Sequence, residues 1–262
     1  PVLRVWGISA TIGNLDQADE VLLGVPLPEK RVTIRANIKK PIAIHSILPD
    51  EVETLPWAGH LGIQLLQKVV PIIKASNSTL IFTNTRSFAE IWYQKLLNEA
   101  PELAGLIAMH HGSISQELRT WVEEQLYEGK LKAVVCTSSL DLGVDFRPVE
   151  TIIQVGSPKG VARFLQRAGR SGHQPGAVSR IYFLPTHSLE LTEAAALREA
   201  ISRQVVEERI PYVRSFDVLV QYLVTLAVSE GFRPADLLRE VRSTFSFSSI
   251  SDDEWNWALQ FV

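Results

Sequence analysis

With 262 residues and 46% hydrophobic content the chain is long enough to bury a sizeable core, and two domains is the working expectation. The formal net charge of −3 argues against wholesale coating of nucleic acid but permits a basic groove on a neutral body. One cysteine, Cys136, excludes an internal disulfide and a cysteine-based zinc site and points to a reducing, cytoplasmic compartment; even the apolar stretch VLVQYLVTLAV (218–228) is shorter than the roughly 18 residues of a membrane span. Residue 1 is proline, the sole methionine is Met109 and no signal pattern opens the chain, so an excised piece of a longer protein is expected.

From about residue 31, short β-branched runs alternate with amphipathic stretches: PIAIHSIL, LGIQLLQKVVPIIK, STLIFTNT, SFAEIWYQKLLNEA, GLIAMHH, QELRTWVEEQLYEG, KAVVCTSS, ETIIQVG, GVARFLQRAG and SRIYFLPT. That order predicts a parallel sheet with helices on both faces, because parallel strands need crossover helices. Such sheets bind ligands at the carboxyl ends of their strands. IFTNTR (81–86), MHHGS (109–113), VVCTSSLDLGVD (134–145) and QVGSPKG (154–160) each leave an apolar run for a polar or glycine-rich one, predicting a polar rim on one sheet edge.

After about residue 186 the pattern is helical only. Leu189 to Arg203 reads as one helix, and in SFDVLVQYLVTLAV the residues Phe216, Leu219, Val220, Leu223 and Ala227 recur at helical spacing ahead of Gly231. Pro234 suits a first helical turn, and Ser251 with Glu254 has capping-box spacing before WNWALQFV. Three short helices resemble the start of a winged-helix or helix-turn-helix module.

Residues 151–189 hold Lys159, Arg163, Arg167, Arg170 and Arg180 without one acid, a local anion-binding signal. In QRAGRSGH (166–173), Gly169 and Gly172 let backbone approach a ligand, and Gln166, Arg167 and Arg170 offer donors suited to phosphate oxygens; a solvated basic helix end is the alternative. In TSSLDLGVDF (137–146), Thr137 and Ser138 suit a phosphodiester backbone and Asp145 suits ribose hydroxyls, against an Asp-rich turn. Asn84 and Arg86 suit a strand's phosphates, against a Thr85 or Ser87 helix cap with Arg86 in solvent. His110 and His111 lack further ligands at metal spacing, so hydrogen-bonding roles are expected, and Trp57, Trp92 and Trp121 are expected in the core.

Together, SAT (9–11), IFTNTR, HHGS, TSSLDLGVDF and QRAGRSGH resemble motifs III to VI of superfamily-two helicases in order and spacing. WGISATIGN, PWAGHLG, FTNTRS, SPKGVARFLQRAGRSGH and FDVLVQYLVTLA resemble the large helicase-related (Lhr) family, and within it the bacterial ligase-associated DEXH-box helicases. The resemblance implies an α/β, RecA-like fold followed by a small all-α winged-helix segment, in an ATP-driven motor moving 3′-to-5′ on single-stranded DNA. It implies a role in DNA repair beside a DNA ligase and a nuclease, with duplex DNA or RNA–DNA hybrids as further substrates. Residues 1–30 would be the tail of the first lobe, 31–186 the second lobe and 187–262 the start of the winged helix.

By the same resemblance Arg170 is the arginine finger, Arg167 a second phosphate-side or motif-bracing arginine, and Gln166 a nucleotide sensor. Gly143 and Asp145 line the nucleotide side, while Arg86, Gly112, Ser113, Thr137 and Ser138 hold the DNA backbone. Ser9 and Thr11 couple the two. His173 stands where many superfamily-two motors have arginine, which weakens a second-finger role there but fits the Lhr pattern. Gly129-Lys130 is followed by leucine, so no phosphate loop is present, and no DEXH box follows an apolar strand. ATP and Mg²⁺ would be held mainly by a first lobe outside this chain, and the chain alone is expected to hydrolyse no ATP. A non-enzymatic nucleic-acid-binding winged-helix module on an α/β scaffold is the rival reading; an α/β hydrolase fails for want of G-x-S-x-G with a triad.

Overall fold

A computed structural model describes residues 4–9, 11–25, 30–35, 41–50, 62–141, 149–172 and 178–262. The chain forms two compact units, Asn37–Glu207 and a second made of Pro1–Ala36 with Glu208–Val262.

The first unit is a six-stranded sheet among the described residues, all of it parallel: β1 (Ile42–Ser46), β2 (Thr79–Phe82), β3 (Ile107–His110), β4 (Ala133–Cys136), β5 (Thr151–Val155) and β6 (Ser179–Leu184), in the order β1-β6-β5-β2-β4-β3. These are the six apolar runs, and β2, β4 and β5 are buried along their whole length, which is why they read as unbroken apolar segments rather than as alternation. Side chains of period two feed two cores. Ile81, Val135 and Ile153 pack with the helices α2 (Leu66–Ala75) and α3 (Arg86–Glu99) on one face. Leu80, Val134 and Ile152 pack on the other with α4 (Gln116–Tyr127), α5 (Val161–Ala168) and α6 (Leu189–Ser202). Trp92 is fully buried in the first core. Trp121 differs from expectation, being 48% exposed, because the buried face of α4 is Val122 and Leu126. Trp57 lies outside the described residues.

Leu197, Ala194 and Ile201 of α6 pack on the second core, so that helix and the segment up to Glu207 belong with the sheet.

The second unit holds α1 (Leu15–Leu23), α7 (Phe216–Val228), α8 (Pro234–Ser243) and α9 (Asp252–Leu259). Its core gathers Leu219, Leu223, Leu237, Val241, Phe247, Ile250, Trp255 and Ala258. Pro234 opens α8, and the capping box of α9 is complete: Ser251 Oγ accepts from Glu254 N at 3.2 Å and the Glu254 carboxylate accepts from Ser251 N at 2.9 Å. Residues 1–36 join this unit, with Val25 N donating to Ser243 O at 2.8 Å.

Candidate functional site

Strand order places the site. From β2 the chain crosses to β3 and β4 on one side, while β5, β6 and β1 fill the other, so the crevice at the carboxyl end of β2 is a topological switch point. The strand ends beside it carry the expected polar residues. A cleft of ≈ 470 Å³ is lined by Asn84, Thr85, Arg86, Ser87, Thr137 and Ser138. Arg86 Nη1 donates to Ser113 Oγ at 2.5 Å, and Gly112 lies close enough that a Cβ there would be 3.8 Å from Arg86 Nη2. Asn84, Arg86, Gly112, Ser113, Thr137 and Ser138 therefore converge from β2, β3 and β4, and all but the buried Thr137 are exposed. Thr85 caps α3 by accepting from Phe88 N at 3.2 Å, so the cap reading holds for Thr85, but Arg86 faces a neighbouring loop rather than solvent alone. Among the described residues this rim carries hydroxyls, one amide and one guanidinium and no carboxylate, a donor set suited to phosphodiester oxygens.

The loop that supplies Thr137 and Ser138 continues through a 3₁₀ turn (Ser138–Leu140) to Asp141, which is buried. Asp141 organises three arginines around α5. Its carboxylate accepts from Arg167 Nε at 2.8 Å and Nη2 at 3.3 Å, and Arg163 Nε stands 3.6 Å away. Its backbone oxygen accepts from Arg170 Nε at 3.1 Å and Nη2 at 2.6 Å. Arg167 is 1% exposed, donates from Nη1 to Gln154 Oε1 at 2.6 Å, and lies 4.6 Å over the Phe82 ring. The enclosed guanidinium ties the loop at Asp141 to Gln154 of β5. Arg170 is half-buried just beyond α5, and burial lowers its pKa while Asp141 opposes that shift. Gln166 is half-buried on α5.

His110 is buried at the end of β3. Its Nε2 is 3.0 Å from Glu123 Oε1 and its Nδ1 is 2.8 Å from Ser139 Oγ, which also reaches the His110 carbonyl at 3.0 Å. Burial pushes its pKa down, with Glu123 opposing. The neutral tautomer that donates Nε2–H to the carboxylate leaves Nδ1 as an acceptor, so the one Ser139 hydroxyl proton is shared between Nδ1 and the His110 carbonyl. His111 Nδ1 accepts from Ser113 N at 3.2 Å. Both histidines thus orient the loops that form the cleft.

Gly143, Asp145 and His173 lie outside the described residues. Ser9 and Thr11 lie in the helical unit ahead of α1, with Thr11 N donating to Ser9 Oγ at 3.3 Å. Sequence reasoning missed Gln154 and the hub role of Asp141. The signal for the first was present, since Gln154 interrupts the apolar run TIIQV. Among the described residues no group of three or more His, Cys, Asp or Glu is placed to hold a metal ion, and no helix is long and apolar enough to cross a membrane.

A parallel sheet whose carboxyl rim joins a polar cleft to an arginine-bearing helix defines a helicase C-terminal lobe of RecA-like fold. Residues 62–174 match the helicase conserved C-terminal domain, and residues 199–262 match the winged helix domain of large helicase-related protein. The chain is 33% identical to ATP-dependent helicase Lhr-Core protein 2 of Thermococcus barophilus, over 98% of this chain and 30% of that protein. It is 34% identical to the Lhr helicase/uracil glycosylase of Escherichia coli, over 63% of this chain and 13% of that one. The structure of Mycobacterium smegmatis helicase Lhr bound to ssDNA and AMP-PNP superposes with a TM-score of 0.86 at 30% identity, covering 96% of this chain and 33% of that chain. The chain belongs to the Lhr family of helicases. It spans 30% of the length of the archaeal Lhr-Core relatives it matches.

Proposed function

We propose that this chain supplies the second RecA-like lobe of an ATP-dependent helicase that tracks 3′-to-5′ along single-stranded DNA in repair, with duplex DNA or RNA–DNA hybrids unwound ahead of it and a ligase and nuclease as partners. One observation carries the reading: residues 137–141 line the polar cleft at one end and hold Arg170 at the other. A change in how the cleft grips a phosphodiester backbone is thereby passed over four residues to the arginine that would face the γ-phosphate. Support also comes from the M. smegmatis relative, whose structure holds ssDNA and AMP-PNP.

The donor set fits a polyphosphate. The Asp141 carboxylate takes Arg167 and Arg163, and the Asp141 backbone carbonyl takes Arg170. An arginine delivered to a transferring phosphoryl group raises turnover by about 10³–10⁵ in well-studied NTPases. The described residues do not fit Mg²⁺, which belongs with a phosphate loop outside this chain. Gln166, Gly143, Asp145 and His173 complete the nucleotide side of the proposal, and Ser9 with Thr11 the coupling.

The test is a pair of variants in the intact protein. Arg170→Ala abolishes DNA-stimulated ATP hydrolysis while single-strand affinity is kept. Arg86→Ala weakens single-strand binding and flattens its log–log salt dependence by about 0.7. Normal turnover in Arg170→Ala, with the salt slope reduced there instead, would assign that residue to the strand.

A further inference from the structure

We propose that Glu207 is a positioning residue for the arginine-bearing helix α5. This rests on the role of Arg170 given above.

Helix α5 begins without help from its own sequence. Its N-cap is Gly160, which offers no side-chain acceptor, so the first-turn N–H groups need a partner from elsewhere. The partner comes from 45 residues downstream: Ala162 N donates to both oxygens of the Glu207 carboxylate, at 3.1 and 3.0 Å. A carboxylate at this end also opposes the positive pole of the helix. Gly160 makes room for it, since a Cβ at that position would collide with Glu207 Oε1, and its φ of 147° is one that other residues rarely adopt. The loop leading into α5 is held in the same way at its other end, where buried Glu190 accepts from Ser157 N at 2.7 Å and Asn84 Nδ2 donates to Ser157 O at 2.8 Å.

The consequence for chemistry follows from length. Helix α5 has eight residues, so a shift of its first turn is carried to Gln166, Arg167 and the Gly169-Arg170 turn with little room to be absorbed. Glu207 is exposed, so replacing it disturbs no packed core. It is also the last residue of the α/β unit, immediately before the chain enters the helical unit.

In the intact protein, Glu207→Ala and Glu207→Gln are expected to lower the kcat of DNA-stimulated ATP hydrolysis by about ten- to a hundredfold, in line with the cost of small misplacement of a catalytic group. KM for ATP and the Kd for a single-stranded oligonucleotide stay within about twofold. Glu207→Asp, which keeps both acceptor oxygens, recovers most of the rate. In the 262-residue chain the Ala162 amide exchanges with deuterium faster in Glu207→Ala than in the parent. Unchanged kcat in Glu207→Ala, beside a collapsed Arg170→Ala control, overturns the inference and leaves the reading of Arg170 intact. A control that keeps full turnover removes both. Loss of activity that tracks a lowered melting temperature in all three Glu207 variants, Asp included, reduces the residue to a fold element and overturns the inference as well.

Discussion

Removing the Asp141 carboxylate is the sharpest perturbation of the arginine cluster. In Asp141→Ala the guanidinium of Arg167 stays 1% exposed, keeps Gln154 and the Phe82 ring, and loses both carboxylate hydrogen bonds. Stranding one partner of a buried pair costs about 3–5 kcal/mol, because the remaining charge is desolvated without compensation. A domain's whole stability is only about 5–15 kcal/mol, so the loss is a large part of it. Taking a urea m-value of about 2 kcal/mol/M, the unfolding midpoint of the α/β unit falls by about 1.5–2.5 M. Arg167→Met in the same background removes the stranded charge and fills its space, and the double variant is expected to regain about 2 kcal/mol over Asp141→Ala, a coupling that independent sites do not show. The assay is urea unfolding followed by circular dichroism on the four members of the cycle. A cost below about 1 kcal/mol for Asp141→Ala, or strict additivity of the two changes, would refute the picture of Arg167 as an enclosed brace.

Three further outcomes are expected. His110 is held neutral by burial, so its pKa in the folded chain lies below the unfolded value of about 6.5; the unfolded chain then binds more protons, and stability falls as pH drops below about 6.5 through the folded value. His110→Gln makes urea midpoints between pH 7 and pH 5 flatter, and an unchanged slope would show that another group carries it. Ser251→Ala removes half of the α9 capping box and costs the helical unit about 1 kcal/mol, read from the melting of the second unit; no change would mean that Glu254 alone secures that helix start. Gly172→Ala places a Cβ at 3.0 Å from Val178 O at a φ of 64°, so it lowers the α/β unit's melting temperature, whereas Gly129→Ala, at a similar φ of 74° with open space, isolates the backbone part of that cost.

How much of this was legible in the sequence depends on the range of the interaction. Each strand buried on both faces announces itself locally, so the runs around Ile81, Val135 and Ile153 marked β2, β4 and β5, and their polar exits marked the rim. That Asn84, Ser113 and Thr137 meet depends on β4 lying between β2 and β3, and strand order is a non-local fact that no local period encodes. The allegiance of α6 was hidden for a related reason, since an amphipathic helix has the same period whichever core receives its face. Arg167 and Arg170 carry identical side chains three positions apart, and only the packing of α5 against β2 and β5 decides that one is enclosed and the other half-buried.

Charge is where sequence and structure diverge most usefully. The span 151–189 has no acid of its own and reads as a bare cationic patch. In the fold Arg163, Arg167 and Arg180 are answered by carboxylates from outside it, Asp141 taking the first two and Glu150 lying 3.5 Å from the third, while Glu190 and Glu207 take the backbone N–H groups at Ser157 and Ala162. A diffuse patch would attract anions through long-range field and lose that attraction within a Debye length of about 8 Å at physiological salt. A compensated cluster instead spends its charge on geometry, so its effect on an anion is short-ranged and depends on where α5 stands. On the proposed function, the salt dependence of strand binding is expected from the Arg86 cleft, and the rate of nucleotide turnover from the alignment of α5. Neutralising Arg163, whose side chain is 41% exposed, separates these terms: Arg163→Gln leaves the salt slope unchanged within error, and a drop of about 0.7 would show that α5 itself lies against the strand.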